Sequence, residues 1–92
     1  MNKTAHITIV ETLERPEKGI VVCGTDADLP DWTTDQICGL GEAVVEGEHV
    51  RVLSVEVSAA LSDRRNIFLL LPDTTPVALL APGTRVEVRP RS

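Results

Sequence analysis

Apolar and polar residues alternate along much of this chain with a period of two, the spacing of strands rather than of helices. In residues 5–13, AHITIVETL, the residues Ala5, Ile7, Ile9 and Leu13 fall on one face and His6, Thr8, Val10 and Thr12 on the other. That is the pattern of a half-buried strand. ERPEKG is a polar turn cluster. IVVC, ended by Gly24, is a short buried strand that forms a hairpin or meander with the first. Residues 25–36 are polar, contain Pro30 and make the longest irregular stretch. A single helical turn fits over Trp32 to Cys38, with Asp31 or Thr33 as its cap and Gly39 or Gly41 as its stop. EAVV is then a strand and EGE a tight turn.

The next segment, HVRVLSVEVS, changes phase. Val50 and Val52 share one face, whereas Leu53, Val55 and Val57 share the other. A flat strand cannot bury both sets on one side. Either a bulge or corner near Leu53 resets the phase, as small barrels require, or both faces are covered. SAALSDRRN is a polar turn. IFLLL, apolar on both faces, is expected to be a central strand. VALLAPG is a short apolar step between proline-marked turns. TRVEVR alternates, with Val86 and Val88 inward and Arg85, Glu87 and Arg89 outward, and PRS is a frayed end. Six or seven short strands with closely spaced turns and no long helix predict an all-β barrel or sandwich. At 92 residues the whole chain, 1–92, is expected to be a single domain.

Composition sharpens this picture in three respects. Val and Leu dominate, Trp32 and Phe68 are the sole aromatics, and Tyr is absent, so the core is aliphatic and suited to strands. Net charge is -5, from 14 acidic and 9 basic residues, which disfavours nucleic acid and anionic membranes as partners. The acidic residues concentrate early, while the tail TRVEVRPRS is basic. The opening MNKTAHITIV alternates instead of running apolar as a signal peptide does, and IFLLL is too short to span a bilayer. The expectation is a cytoplasmic protein whose two cysteines, Cys23 and Cys38, are reduced and buried.

The order of the pieces resembles the second domain of the translational GTPases, the β-barrel that follows the nucleotide-binding domain in elongation factor Tu and its relatives. EKGIVVCGT resembles that barrel's early hairpin. GEAVVEGEHVRVL resembles its Gly-spaced turn, and DRRNIFLLLPDTTPVALLAPGTRVEV resembles its closing half. The resemblance covers nearly the whole chain and implies a barrel that helps hold aminoacyl-tRNA or the ribosome. Three features depart from it. Residues 25–36 would be an inserted loop, and the spacing from Gly41 to Gly47 is one residue long. The chain also has no G-x-x-x-x-G-K-S/T phosphate loop, so it cannot hydrolyse GTP. No functional residue is carried over from the family.

Candidate sites are few. Asp26, Asp28 and Asp31 follow D-x-D-x-x-D, with Asp35 beyond, but the EF-hand spacing is missing and Pro30 stiffens the segment. A solvated turn whose aspartates accept backbone N–H groups is the plainer reading. Trp32, set among these aspartates, is either a cap over the barrel end or an anchor in a protein interface. Zinc would need Cys23, Cys38, His6 and His49 to converge without any paired-ligand motif. No nucleophile elbow or phosphate loop is present, so neither an enzyme nor a cofactor is expected. Arg64 and Arg65 before the central strand, with Arg85, Arg89 and Arg91 on the last strand and tail, form a basic patch for RNA if the two groups meet. No aromatic stacking platform accompanies them. Otherwise these charges protect strand edges.

The function expected is therefore a non-catalytic binding module. Its leading form is protein–protein interaction through residues 26–36, using Asp26, Asp28, Asp31, Trp32 and Asp35 toward a basic partner. The alternatives are an RNA- or ribosome-associated barrel using Arg64, Arg65, Arg85 and Arg89, and a homo-oligomer paired through edge strands.

Overall fold

A computed structural model describes residues 5–29, 31–59 and 64–91. The chain is nearly all β, as the alternation predicts. Its strands are β1 (Ala5–Arg15), β2 (Gly19–Thr25), β3 (Leu40–Val45), β4 (Glu48–Arg51), β5 (Ser54–Ala59), β6 (Arg65–Leu71) and β7 (Arg85–Pro90). They form one antiparallel sheet in the order β4-β3-β7-β1-β2-β6-β5, curled into a half-barrel. A five-residue helix, α1 (Thr34–Cys38), lies between β2 and β3, and a 3-10 turn, Val77–Leu80, precedes β7.

Two corners produce the curl. The first is in β1, whose residues 5–8 pair with β7 while residues 9–15 pair with β2. The register shifts between Ile9 and Glu11, leaving Val10 as a bulge that is 61% exposed. A bulge resets the two-residue period. Leu13, expected on the same face as Ile9, is consequently turned outward and is 41% exposed. Thr12 takes the inner phase instead, and its hydroxyl donates to the Leu80 carbonyl at 2.7 Å. Gly24, paired with Ile9, makes the close approach possible: a Cβ there would lie 2.4 Å from Ile7 Cγ2 and 2.8 Å from the Thr8 carbonyl oxygen.

The second corner is where HVRVLSVEVS changes phase. The Val52 N–H donates to Gly41 of β3, and the next N–H, that of Leu53, donates to Leu70 of β6. Successive amides thus serve opposite edges of the sheet. Val52 is buried, Leu53 is exposed, and Val55 and Val57 pack against the core.

The core fills the concave side: Ile7 and Ile9, Ile20 and Val22, Ala43 and Val45, Ile67, Leu69 and Leu71, and Val86 and Val88. Burying aliphatic side chains on one face is the main favourable contribution to folding for a domain of this kind. The connections add Leu29, Ile37, Leu40 and Leu80. The turn between β3 and β4 is Glu46–Gly47, with φ of 49° and 86°, the two-residue turn whose twist suits a hairpin. β6 lies between β2 and β5 as expected, but its outward residues Phe68 and Leu70 remain half-buried. The cysteines depart from expectation. Ile37 takes the inward position of α1, which leaves Cys38 exposed, and Cys23 sits half-buried on the outer face of β2. The polar turn expected at 58–66 lies partly, and Pro30 wholly, outside the described residues.

Candidate interaction site

Residues 26–39 connect β2 to β3 and carry most of the residues singled out from the sequence. The segment is anchored at both ends. Leu29 and Ile37 insert into the core at 1% and 0% exposure. One cation, Arg65, ties Asp26, Thr34 and the carbonyls of Leu29 and Trp32 together.

Asp26 follows the end of β2, and Arg65 opens β6. The antiparallel register puts Thr25 opposite Asn66, so Asp26 and Arg65 meet as the next pair. The Asp26 N–H donates to the Arg65 carbonyl at 3.1 Å, and the Arg65 N–H donates back to Asp26 Oδ1 at 3.1 Å. Arg65 Nε donates to Asp26 Oδ2 at 2.7 Å. The rest of the guanidinium spreads across the loop. Nη1 donates to Thr34 Oγ1 at 3.2 Å, and Nη2 reaches the carbonyls of Leu29 at 3.5 Å and Trp32 at 2.5 Å. A planar fork with several fixed donors is suited to this role in a way a lysine is not.

The carboxylate of Asp26 is the most buried charge of the segment, with its side chain 9% exposed. Burial pushes its pKa up, but the hydrogen bonds and charge of Arg65 outweigh that and hold it below the ordinary carboxylate range. Arg65 itself is 23% exposed along its side chain.

The helical turn is secured locally. Thr33 is the N-cap: its hydroxyl accepts from the Gln36 N–H at 3.1 Å, and its own N–H donates to Gln36 Oε1 at 2.8 Å. This reciprocal box satisfies two amides that the first turn leaves without partners. Gly39 closes the turn, as the sequence allowed.

What remains on the surface of the segment is three carboxylates and part of Trp32. Asp28, Asp31 and Asp35 are exposed, and Asp28 Oδ2 accepts from Thr8 Oγ1 at 3.3 Å. Trp32 is half-buried, with part of its ring packed against the core. The segment thus offers negative charge and a flat aromatic edge on a backbone already held in place.

The basic residues are distributed differently. Arg64 is exposed at the entry to β6. Arg65 is turned into the loop. Arg85 lies exposed on β7, in register with Thr8. Arg89 pairs with Glu87 at 2.8 Å and Glu42 at 3.6 Å, and Glu42 also meets His49 Nδ1 at 3.0 Å. In the sheet, β6 and β7 are separated by β1 and β2. Among the described residues no three His, Cys, Asp or Glu side chains are grouped to hold a metal ion. No helix among them is long and apolar enough to cross a membrane.

Sequence reasoning did not find the clamping role of Arg65. Its signal lies in the β2–β6 register, which joins two polar residues at the ends of separate apolar strands. Comparison of the chain with protein-family models, curated proteins and solved structures gives no match.

Proposed function

We propose that this protein is a non-catalytic interaction module that binds a basic protein through residues 26–36. The observation that carries this reading is the Arg65 clamp. One guanidinium fixes four points of the loop, at Asp26, Leu29, Trp32 and Thr34, so the exposed Asp28, Asp31, Asp35 and the Trp32 edge are preorganised. A surface ordered before binding loses less conformational entropy when the partner arrives. Tryptophan is enriched among the residues that dominate binding energy at protein interfaces.

A photoreactive side chain placed at Asp31 and activated in the host cell tests the reading. A crosslink to a basic protein is expected. It should be lost in Trp32→Ala and in Asp28→Asn/Asp35→Asn, with folding intact by circular dichroism. A crosslink indifferent to both variants, or none above that from a control probe at the exposed Glu48, overturns it.

A second reading retains the elongation-factor likeness, for which the curled antiparallel sheet is the coarse shape required. There Arg64, Arg65, Arg85 and Arg89 would touch RNA. Arg65 and Arg89 already hold partners within the chain, which ranks this reading second. RNA retained on a filter at low salt, with affinity falling steeply as salt rises, would support it. No retention at low salt removes it.

A further inference from the structure

The outer face of β1, β2, β6 and β5 carries apolar residues that the core does not use. Three rows cross it. The registers align Leu13, Val21, Leu70 and Ser54 in the middle row. On one side Glu11, Cys23, Phe68 and Glu56 form the next row, and on the other Arg15 stands opposite Gly19. A groove of about 450 Å³ follows this surface, lined by Leu13, Val21, Phe68 and Leu70 with Arg15 and Lys18 at one end. Phe68, the sole phenylalanine, lies here rather than inside.

The charges of this face are ordered along the strands. Arg15 and Lys18 mark one end, and Glu11 and Glu56 mark the other. Glu11 and Arg15 are four residues apart on one side of β1, about 13 Å at the rise of a strand. Among the described residues none of these four joins an ion pair within the chain.

We propose that this face binds a second copy of the same chain, in a two-fold dimer whose axis runs along the middle row. Rotation about that axis sets Leu13, Val21 and Leu70 against their own equivalents. It also exchanges the ends, so that Arg15 and Lys18 of each copy meet Glu11 of the other. Cys23 of the second copy comes over Gly19 of β2, and Phe68 over the end of β6 beyond Leu70. A two-fold interface requires a self-complementary surface, and an apolar centre between ends of opposite charge meets that requirement. A basic partner would be repelled by Arg15 and Lys18, and an acidic one by Glu11 and Glu56. The apolar rows are narrow compared with a standard interface, so the dimer is weak and depends on concentration. It does not involve the 26–36 loop and stands or falls apart from the function proposed above.

Sedimentation of the full chain from micromolar to millimolar concentration tests the dimer. A monomer–dimer equilibrium is expected, weakened about tenfold or more by Arg15→Glu and by Glu11→Arg taken singly, a loss of over a kilocalorie per mole. The double variant, with the two charges exchanged, should restore association. These exposed positions leave the core untouched, and circular dichroism verifies the fold. A monomer throughout the range overturns the proposal and leaves the groove to a different partner. So does a dimer that ignores the single reversals, or one that the exchange fails to restore.

Discussion

Between β2 and β3 a carboxylate, Asp26, is folded inward to 7% exposure, while on the outer face of the same sheet the phenyl ring of Phe68 is left facing away from the core. Both residues depart from the rule that apolar groups go in and charges stay out, and the structure accommodates them differently. Asp26 is inside because Arg65 supplies hydrogen bonds for both of its oxygens. Phe68 instead sits, half-buried, with Leu70, Val21 and Leu13 on an open groove. The first region is a polar network satisfied within the chain. The second is an apolar surface left open on the outer side of the sheet. Sites where local patterning and fold disagree are where function is to be sought.

The contrast can be tested by substitution. On β6, Leu69 is 1% exposed and Leu70 is its outward neighbour. Leu69→Ala is expected to lower the unfolding free energy by about 2–5 kcal/mol, the cost of a core cavity. Asp26→Asn and Arg65→Met should each cost about 2–4 kcal/mol, since either leaves a partly buried polar group short of partners. The Asp26 effect depends on pH. Because the folded-state pKa is depressed, its stabilisation is present at neutral pH and fades as pH falls through the folded value. The stability gap between wild type and Asp26→Asn, measured by urea titration, should narrow in acid.

Thr33→Ala removes the capping box and is expected to cost about 1 kcal/mol, with faster amide exchange confined to the first turn of α1. The smallest effect belongs to the outer face. Leu70→Thr should change the unfolding free energy by less than about 1 kcal/mol while weakening self-association. If Leu70 proves as costly to replace as Leu69, the two faces of β6 are equally structural and the contrast disappears.

Much of the fold was legible in the alternation of residues. The phase change in HVRVLSVEVS called for a bulge or corner or for cover on both faces, and Val52–Leu53 is the corner. The clean alternation of TRVEVR put Val86 and Val88 inside. The Thr33 cap and Gly39 stop were each one of two candidates readable in the sequence, because capping depends on neighbours along the chain. The bulge at Val10 was not legible, since its cause is the change of partner from β7 to β2, a long-range event. Leu13 was assigned to the wrong face for that reason. The clamp was hidden by the same limit: Asp26 and Arg65 are 39 residues apart, and only the strand register joins them. An arginine at the head of an apolar strand reads as a surface charge until its partner is known. The aspartate-rich stretch and Trp32 were visible as a surface. Their rigid support was not.

One ion pair, Asp26 with Arg65, ties the candidate binding loop to the sheet. Trp32 is the chain's single tryptophan and there is no tyrosine, so its fluorescence reports on that loop alone. Urea unfolding of wild type and Asp26→Asn, followed both by Trp32 emission and by backbone circular dichroism, measures what that pair contributes. In wild type the two transitions should coincide. In Asp26→Asn the fluorescence transition should move to lower urea ahead of the loss of β-structure, the loop leaving before the sheet. Coincident transitions in the variant at an unchanged midpoint would show that Arg65 and Asp26 do not hold the loop.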